Sequence, residues 1–283
     1  MAIFTNQASL TYRNITRNSN IATGQIIESL SITNSAVTNS YTEGDNVTYV
    51  VSIVNSSTSP RTGVSVTDDL GAYTVGTTTV YPLDYVDTSV KYYSNGILQP
   101  APAVTAGPPL EISGITVPAG GNVTIIYETT VNGFAPLSEG SSVINTASVT
   151  GGTTAPISDS ETIFARSVSD LTISKSVTPD VVTENGELTY TFVIQNTGNA
   201  PIVAGDNTTI NDTFNPVLSN ISVTYNSDPW TQGVNYNYDE TTGVFSTVPG
   251  QITVPGATYT QDPVTGEITT TPGFAVVTVT GRV

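Results

Sequence analysis

The chain has 283 residues, enough for two domains of ordinary size that each bury a core. It holds 7 Lys and Arg against 23 Asp and Glu, a formal charge of -16 that disfavours binding to nucleic acid or to an anionic membrane. It has no Cys and no His, which excludes disulfides, thiolate metal sites, cysteine nucleophiles and His-dependent catalytic triads. Frequent Val, Ile, Thr and Tyr, interrupted by 24 Gly and 17 Pro, are typical of an all-β sandwich.

The first residues, MAIFTNQASLTYRN, have neither a basic segment nor a long apolar segment, so we expect no secretory signal there. No stretch of the sequence is apolar enough to span a bilayer. Within this region, residues Phe4–Thr11 predict a strand, because alternation places four side chains on one face. Those four residues are Phe4, Asn6, Ala8 and Leu10.

The rest of the chain is an internal duplication. Leu30-Ser-Ile-Thr-Asn-Ser recurs 141 residues later as Leu171-Thr-Ile-Ser-Lys-Ser, and Ile53-Val-Asn recurs at the same offset as Ile194-Gln-Asn. Alternating apolar residues and regularly spaced turn signals predict seven or eight strands in each copy. We therefore predict an N-terminal strand and linker (1–29) followed by two tandem β-sandwiches of the immunoglobulin or transthyretin type (30–165 and 166–283).

The two copies differ at their ends. The first finishes with a predicted strand, Val143–Thr150, whereas the second stops at Val283 soon after the predicted strand Ala275–Thr280. The missing segment resembles the N-terminus, since Asn6-Gln-Ala-Ser-Leu matches Asn145-Thr-Ala-Ser-Val. A sandwich without its last strand exposes an edge and half a core.

We therefore expect Phe4–Thr11 to act as a donor strand that inserts into the second module of a neighbouring copy, beside Ala275–Thr280. Such a contact would polymerise the chain head to tail. The alternatives are that the N-terminal strand packs on its own domain or is disordered.

Four segments carry a resemblance to a known family. Leu171–Pro179, Glu187–Gly198, Ile210–Phe214 and Asn145–Thr150 resemble the bacterial surface repeat known as the DUF11 domain, which covers nearly the whole chain as two copies. The size, the duplication and the absent export signal resemble the major subunits of spore appendages in anaerobic spore-formers. This resemblance implies a surface filament built from copies of the chain, with other appendage or spore-coat proteins as further partners.

Three residues suggest a covalent seal for such a filament. Lys175 shares the core face of its strand with Leu171 and Ile173, and a buried lysine must lose its proton or find a partner. Asp212 lies on a core face between Ile210 and Phe214. With Asn6 these residues form the set that makes an isopeptide bond in related pilin sandwiches. The alternatives are a lysine that reaches the rim or a buried Lys–Asp pair, and a turn carboxylate for Asp212.

The first module has Asp68 and Asn145 but carries Asn34 in place of the lysine, so we expect no such bond there.

Other candidate sites are weaker. Loop carboxylates such as Asp68-Asp69 and Asp206 lack the spacing of a calcium loop, so we expect no metal and no cofactor. Trp230 lies near three tyrosines, Tyr225, Tyr236 and Tyr238, which is compatible with a sugar-binding platform, although core or interface packing is the ordinary role of such residues.

A structural subunit of a filament is the first interpretation of the chain's function, and a carbohydrate-binding surface adhesin is the alternative. No convergent catalytic set suggests an enzyme.

Overall fold

A computed structural model of the chain describes residues 2–26, 29–152 and 155–283. Regular structure in these segments consists of β-strands and one short 3₁₀ turn, Ala204–Asp206. The chain divides into two compact units, one formed by residues 1–74, 79–132 and 143–163, the other by 75–78, 133–142 and 164–283. The predicted all-β fold is confirmed. No helix in the described segments is long and apolar enough to cross a membrane.

The N-terminal residues form a separate ribbon of two antiparallel segments, here called the N-terminal arm, and each segment consists of two short strands. Its strands are β1 (Ala2–Asn6), β2 (Ser9–Tyr12), β3 (Ile15–Asn18) and β4 (Ala22–Ile26). Strand β1 pairs antiparallel with β4, and β2 pairs antiparallel with β3. The strand predicted over Phe4–Thr11 is therefore interrupted at residues 7 and 8, and in the single chain both of its parts pair within the arm.

The first module is built from two facing sheets. Its strands are β5 (Leu30–Ala36), β6 (Ser40–Tyr41), β7 (Asn46–Asn55), β8 (Arg61–Asp68), β9 (Tyr73–Val75), β10 (Thr78–Val80), β11 (Leu83–Tyr85), β12 (Lys91–Ser94), β13 (Ile97–Gln99), β14 (Ala103–Thr105), β15 (Leu110–Val117), β16 (Asn122–Val131), β17 (Ser142–Thr150) and β18 (Ile157–Ala165). One sheet has the order β13-β12-β16-β7-β5 with β11 also on β16, and the other has the order β14-β15-β8-β17-β18-β6. Each sheet holds 6 strands, so the two sheets together hold more than the seven or eight strands that we predicted for the module, because short strands extend the edges.

The second module repeats this plan with fewer strands. They are β19 (Leu171–Thr178), β20 (Glu187–Asn196), β21 (Asn211–Thr213), β22 (Ser219–Tyr225), β23 (Asp228–Trp230), β24 (Tyr236–Tyr238), β25 (Val244–Thr247), β26 (Thr258–Gln261), β27 (Ile268–Thr271) and β28 (Gly273–Arg282). One sheet has the order β19-β20-β28-β22-β23 and the other β21-β25-β24, with β26 and β27 as a separate hairpin. Aromatic residues including Phe192, Phe214 and Phe245 fill the core between the sheets.

The strand registers confirm the duplication. In the first module Leu30 lies opposite Asn55, and in the second Leu171 lies opposite Asn196, the same pair displaced by the repeat offset. Both pairings arise because alternate residues of β7 and β20 are apolar and face the core. The predicted strand-for-strand correspondence therefore holds for these hairpins.

The modules differ in one sheet. In the first module β8 is flanked by β15 and β17, whereas β21, its counterpart, pairs with β25 alone among the described strands. By contrast β28, which contains the predicted segment Ala275–Thr280, is paired by β20 on one edge and β22 on the other. The expected insertion beside Ala275–Thr280 is therefore wrong, because that strand has no free edge. The edge that corresponds to the position of β17 in the first module is that of β21, which has no second partner among the described strands.

Candidate functional site

One face of the second module is uncovered where the same face of the first is closed. In β5 of the first module, Leu30 is 4% exposed and Asn34 is 5% exposed. In β19 the counterpart of Asn34 is Lys175, whose side chain is 38% exposed, and Ile173 is 58% exposed. The difference follows from β17, which supplies buried residues to the first module and has no described counterpart in the second.

This uncovered face contains an apolar groove. Leu171 and Ile173 of β19, Ile194 of β20 and Ile210 beside β21 contribute to a cavity of about 160 Å³. Residues 208–210, which also line the cavity, lead directly into β21, whose backbone hydrogen-bonding groups have no described strand partner on one side. An apolar groove beside an open strand edge is suited to accept an added strand.

Lys175 and Asp212 meet in this open face. The Lys175 ammonium forms an ion pair with Asp212 Oδ2. Its Nζ lies 4.4 Å from the ring centroid of Tyr190, 5.2 Å from that of Phe214 and 5.5 Å from that of Phe192. The lysine thus points toward the core, as its strand position predicted, but water still reaches it. Asn6, the third predicted residue, lies exposed in the N-terminal arm.

The first module shows the equivalent site in a covered state. Asp68 Oδ2 accepts a 2.8 Å hydrogen bond from Asn145 Nδ2, and Asn34 Nδ2 donates to the backbone oxygen of Asn145 at 3.0 Å. The backbone N–H of Gly71 donates to Asn145 Oδ1 at 3.0 Å. An asparagine on β17 is therefore held against the aspartate on β8 and beside the residue that corresponds to Lys175.

Burial shifts the acid–base equilibrium of Asp68 in this covered site toward the neutral acid. It raises the pKa of Asp68 to about 6, although hydrogen bonds from Tyr127, the Leu70 backbone and Asn145 act in the opposite direction. Since desolvation favours the neutral form of a carboxyl group, covering the site favours a protonated acid next to the asparagine amide.

Sequence reasoning missed Tyr127, whose hydroxyl donates to Asp68 Oδ2. The signal was present, because alternation along β16 puts Tyr127 on the same face as the buried Ile125. In the second module Val279 occupies the equivalent ladder position, opposite Tyr190 as Tyr127 is opposite Tyr49. Asp212 thus lacks the tyrosine hydroxyl that Asp68 binds, and Lys175 takes its place as a partner.

The remaining candidates do not converge. Trp230 stacks on Tyr225 with ring centroids 5.0 Å apart, but Tyr236 and Tyr238 are buried in the core, so the four aromatic residues do not form one platform. Within the described residues there is no group of three or more acidic side chains placed to hold a metal ion.

No established sequence family and no curated protein matches the chain. Among solved structures, BcpA, the major pilin subunit of Bacillus cereus, is similar with a TM-score of 0.36 and 12% identity over 96% of this chain and 73% of that one. The pilus backbone RrgB of Streptococcus pneumoniae has a TM-score of 0.34 and 12% identity over 86% of this chain, which spans 55% of its length. The collagen-binding subdomain of the Enterococcus faecalis surface protein ACE has a TM-score of 0.30 and 8% identity, covering 50% and 99% respectively.

Proposed function

We propose that the chain is the repeating structural subunit of an extracellular filament, in which the N-terminal arm of one copy completes the second module of the next. The observation that carries the proposal is the free edge of β21 beside the uncovered pair of Lys175 and Asp212. In the first module the equivalent edge is occupied by β17, and the arm contains a segment, Asn6-Gln-Ala-Ser-Leu, that matches Asn145-Thr-Ala-Ser-Val of β17.

The first module also supplies a register for the joint. There Ala147 lies opposite Asp68 and Val149 lies opposite Val66. Transferred to the joint, Ala8 faces Asp212 and Leu10 faces Ile210, while Asn6 takes the place of Asn145. The contact joins two different surfaces, so it is heterologous and propagates into an open fibre unless the rotation closes a ring.

A covalent bond between subunits follows from the same register. Covering the site favours transfer of a proton from the Lys175 ammonium to Asp212, which leaves a neutral amine and a carboxylic acid. The amine Nζ attacks Cγ of Asn6 and the new Cγ–Nζ bond forms, while the Cγ–Nδ2 bond breaks as the amide nitrogen gains one proton from Asp212, which takes one back from Nζ. One ammonia leaves, an amide joins Lys175 to Asn6, and Asp212 keeps one proton.

The filament is a surface structure of self-associating copies with no enzymatic role. A charge of -16 disfavours random association of subunits, so assembly rests on the specific joint. The resemblance to spore-appendage subunits is the basis for placing the filament on a spore, where other appendage or coat proteins are further partners.

Deletion of residues 1–14 tests the strand exchange. We expect wild-type protein to form concentration-dependent fibres in negative-stain electron microscopy and the deletion variant to stay monomeric. Fibres of undiminished length from the deletion variant would show that the arm is not the connector. A glycan-array signal from wild-type protein that stays monomeric would instead favour the adhesin alternative.

The chain offers a matched pair of lysines for testing the covalent bond, since Lys175 and Lys91 are its two lysines. We expect wild-type and Lys91→Arg polymers to survive boiling in detergent, and Lys175→Arg polymers to dissociate into monomers. Mass spectrometry should find a peptide joining Lys175 to Asn6, lighter than its two components by one ammonia. Equal detergent resistance in Lys175→Arg, with no such peptide, would refute the bond while leaving strand exchange intact.

A further inference from the structure

The N-terminal arm repeats a two-stranded unit of the first module. Across β17 and β18 the hydroxyl groups of Thr146 and Ser160 are 3.0 Å apart, and the short connection between these strands implies an antiparallel pair. The residues 139 positions earlier are Gln7 and Ile21. Gln7 and Ile21 lie one position beyond Asn6 and Ala22, the last pair of the β1–β4 ladder. The two segments of the arm are therefore aligned in the same register as β17 and β18.

The two ribbons differ in how side-chain size is divided between the paired residues on their inward face. Three positions along each strand from Thr146 and Ser160, the same register sets Val143 opposite Ile163, and both are buried. In the arm their counterparts are Phe4 and Gly24, which are direct partners. The Phe4 ring covers Gly24 so closely that a Cβ there would lie 2.2 Å from Phe4 Cζ. A medium–medium pair in one ribbon is thus replaced by a large–small pair in the other.

The arm also lacks the cover that its counterpart has. Phe4 is 54% exposed and Leu10 is 66% exposed, whereas Val143 and Val149 of β17 are buried. An isolated two-stranded ribbon is marginally stable in water, so apolar residues on its inward face favour docking onto another surface.

Building on the proposed function, we infer that the arm docks as a preformed two-stranded ribbon onto the second module of another copy of this chain. One strand, β1 with β2, pairs with the free edge of β21. The other strand, β4, lies along Val181 and Val182, the counterparts of Ser40 and Tyr41 in β6, the strand beside β18. Val181 is 82% exposed, whereas its counterpart Ser40 is half-buried in the covered first module.

A disulfide staple distinguishes a ribbon from a lone strand. Thr5 and Thr23 are direct partners across β1 and β4, and opposite residues of antiparallel strands lie about 4.5–5.5 Å apart at Cα, within reach of a disulfide. Because the chain has no Cys, a Thr5→Cys/Thr23→Cys variant contains no competing thiol. If the arm docks as a ribbon, the oxidised variant should polymerise to the same extent as its reduced form.

Hydrogen exchange supplies a second readout on the wild-type polymer. Ribbon docking should keep the amides of residues 22–26 protected and should add protection at Val181 and Val182 on assembly. Polymerisation of the stapled variant only after reduction, or loss of protection at residues 22–26 in the polymer, would overturn ribbon docking and leave single-strand exchange standing. If wild-type protein itself stays monomeric, the proposed filament function fails and ribbon docking fails with it.

Discussion

Leu10 offers a direct energetic test of the joint. In the free chain its side chain is 66% exposed, and its counterpart on β17, Val149, is 0% exposed. Leu10→Ala therefore removes apolar surface that the proposed joint would bury, while changing little in the free subunit. Ile3 is a matched control, because it is 70% exposed and its counterpart, Ser142, lies on the outer side of the sheet.

The size of the effect follows from the buried surface. Truncating Leu to Ala removes three carbon groups, each worth about 0.8 kcal/mol when fully buried. Since about two thirds of the Leu10 side chain remains to be buried on assembly, the joint should weaken by about 1.5 kcal/mol, or about tenfold in the dissociation constant for subunit addition. Ile3→Ala should change it by less than about 0.5 kcal/mol.

The measurement is the critical concentration for polymerisation, determined by sedimentation. It should be made in a Lys175→Arg background, because subunit addition must stay reversible for an equilibrium to be measured. We expect Leu10→Ala to raise the critical concentration about tenfold and Ile3→Ala to leave it nearly unchanged. Equal effects of the two substitutions, or no effect of Leu10→Ala, would show that the inward face of the arm is not buried at the joint.

Three further predictions concern the covered site and the ribbon. Asn34→Lys should create an amide bond to Asn145 within the first module, seen as loss of one ammonia by mass spectrometry and abolished by Asn145→Ala; a folded variant of unchanged mass would contradict the chemistry. Burial raises the pKa of Asp68 from 3.8 to about 6, so the folded protein holds this proton more tightly than the unfolded chain does. The resulting stabilisation is fully present below the pKa of the unfolded state and is lost as pH rises through the pKa of the folded state. Calorimetric unfolding should therefore show wild-type protein losing about 2 kcal/mol relative to Asp68→Asn between about pH 4 and pH 7, and parallel pH profiles would argue against this cause. Phe4→Val and Gly24→Ile should each raise the critical concentration, whereas the double variant, which reproduces the pair of the first module, should restore it; additive losses would mean that the two residues do not dock together.

The sequence predicted the hairpins well where two independent signals agreed. Alternation of apolar residues sets which face of β7 and β20 is buried, and the constant repeat offset then requires both hairpins to share one register. The structure confirms both, from Leu30 opposite Asn55 to Leu171 opposite Asn196. The position of the donor strand was wrong because order along the chain does not determine spatial neighbours. The strand that we predicted as the last of the first module, β17, pairs with β8, earlier in the sequence, and not with the strand that precedes it.

Lys175 shows why the candidate site could be predicted only in part. Periodicity placed its side chain on the core face of β19, and the structure agrees, since Nζ lies over the rings of Tyr190, Phe192 and Phe214. Periodicity states which way a residue points but not whether anything covers it. In the first module the cover comes from β17 of the same chain, which leaves Asn34 5% exposed. For Lys175 the described chain supplies no such strand, so an inward-facing residue remains in contact with water. That conflict between pattern and exposure is the observation on which we base the proposal that a second copy covers the site, and the polymerisation and crosslinking experiments above test it.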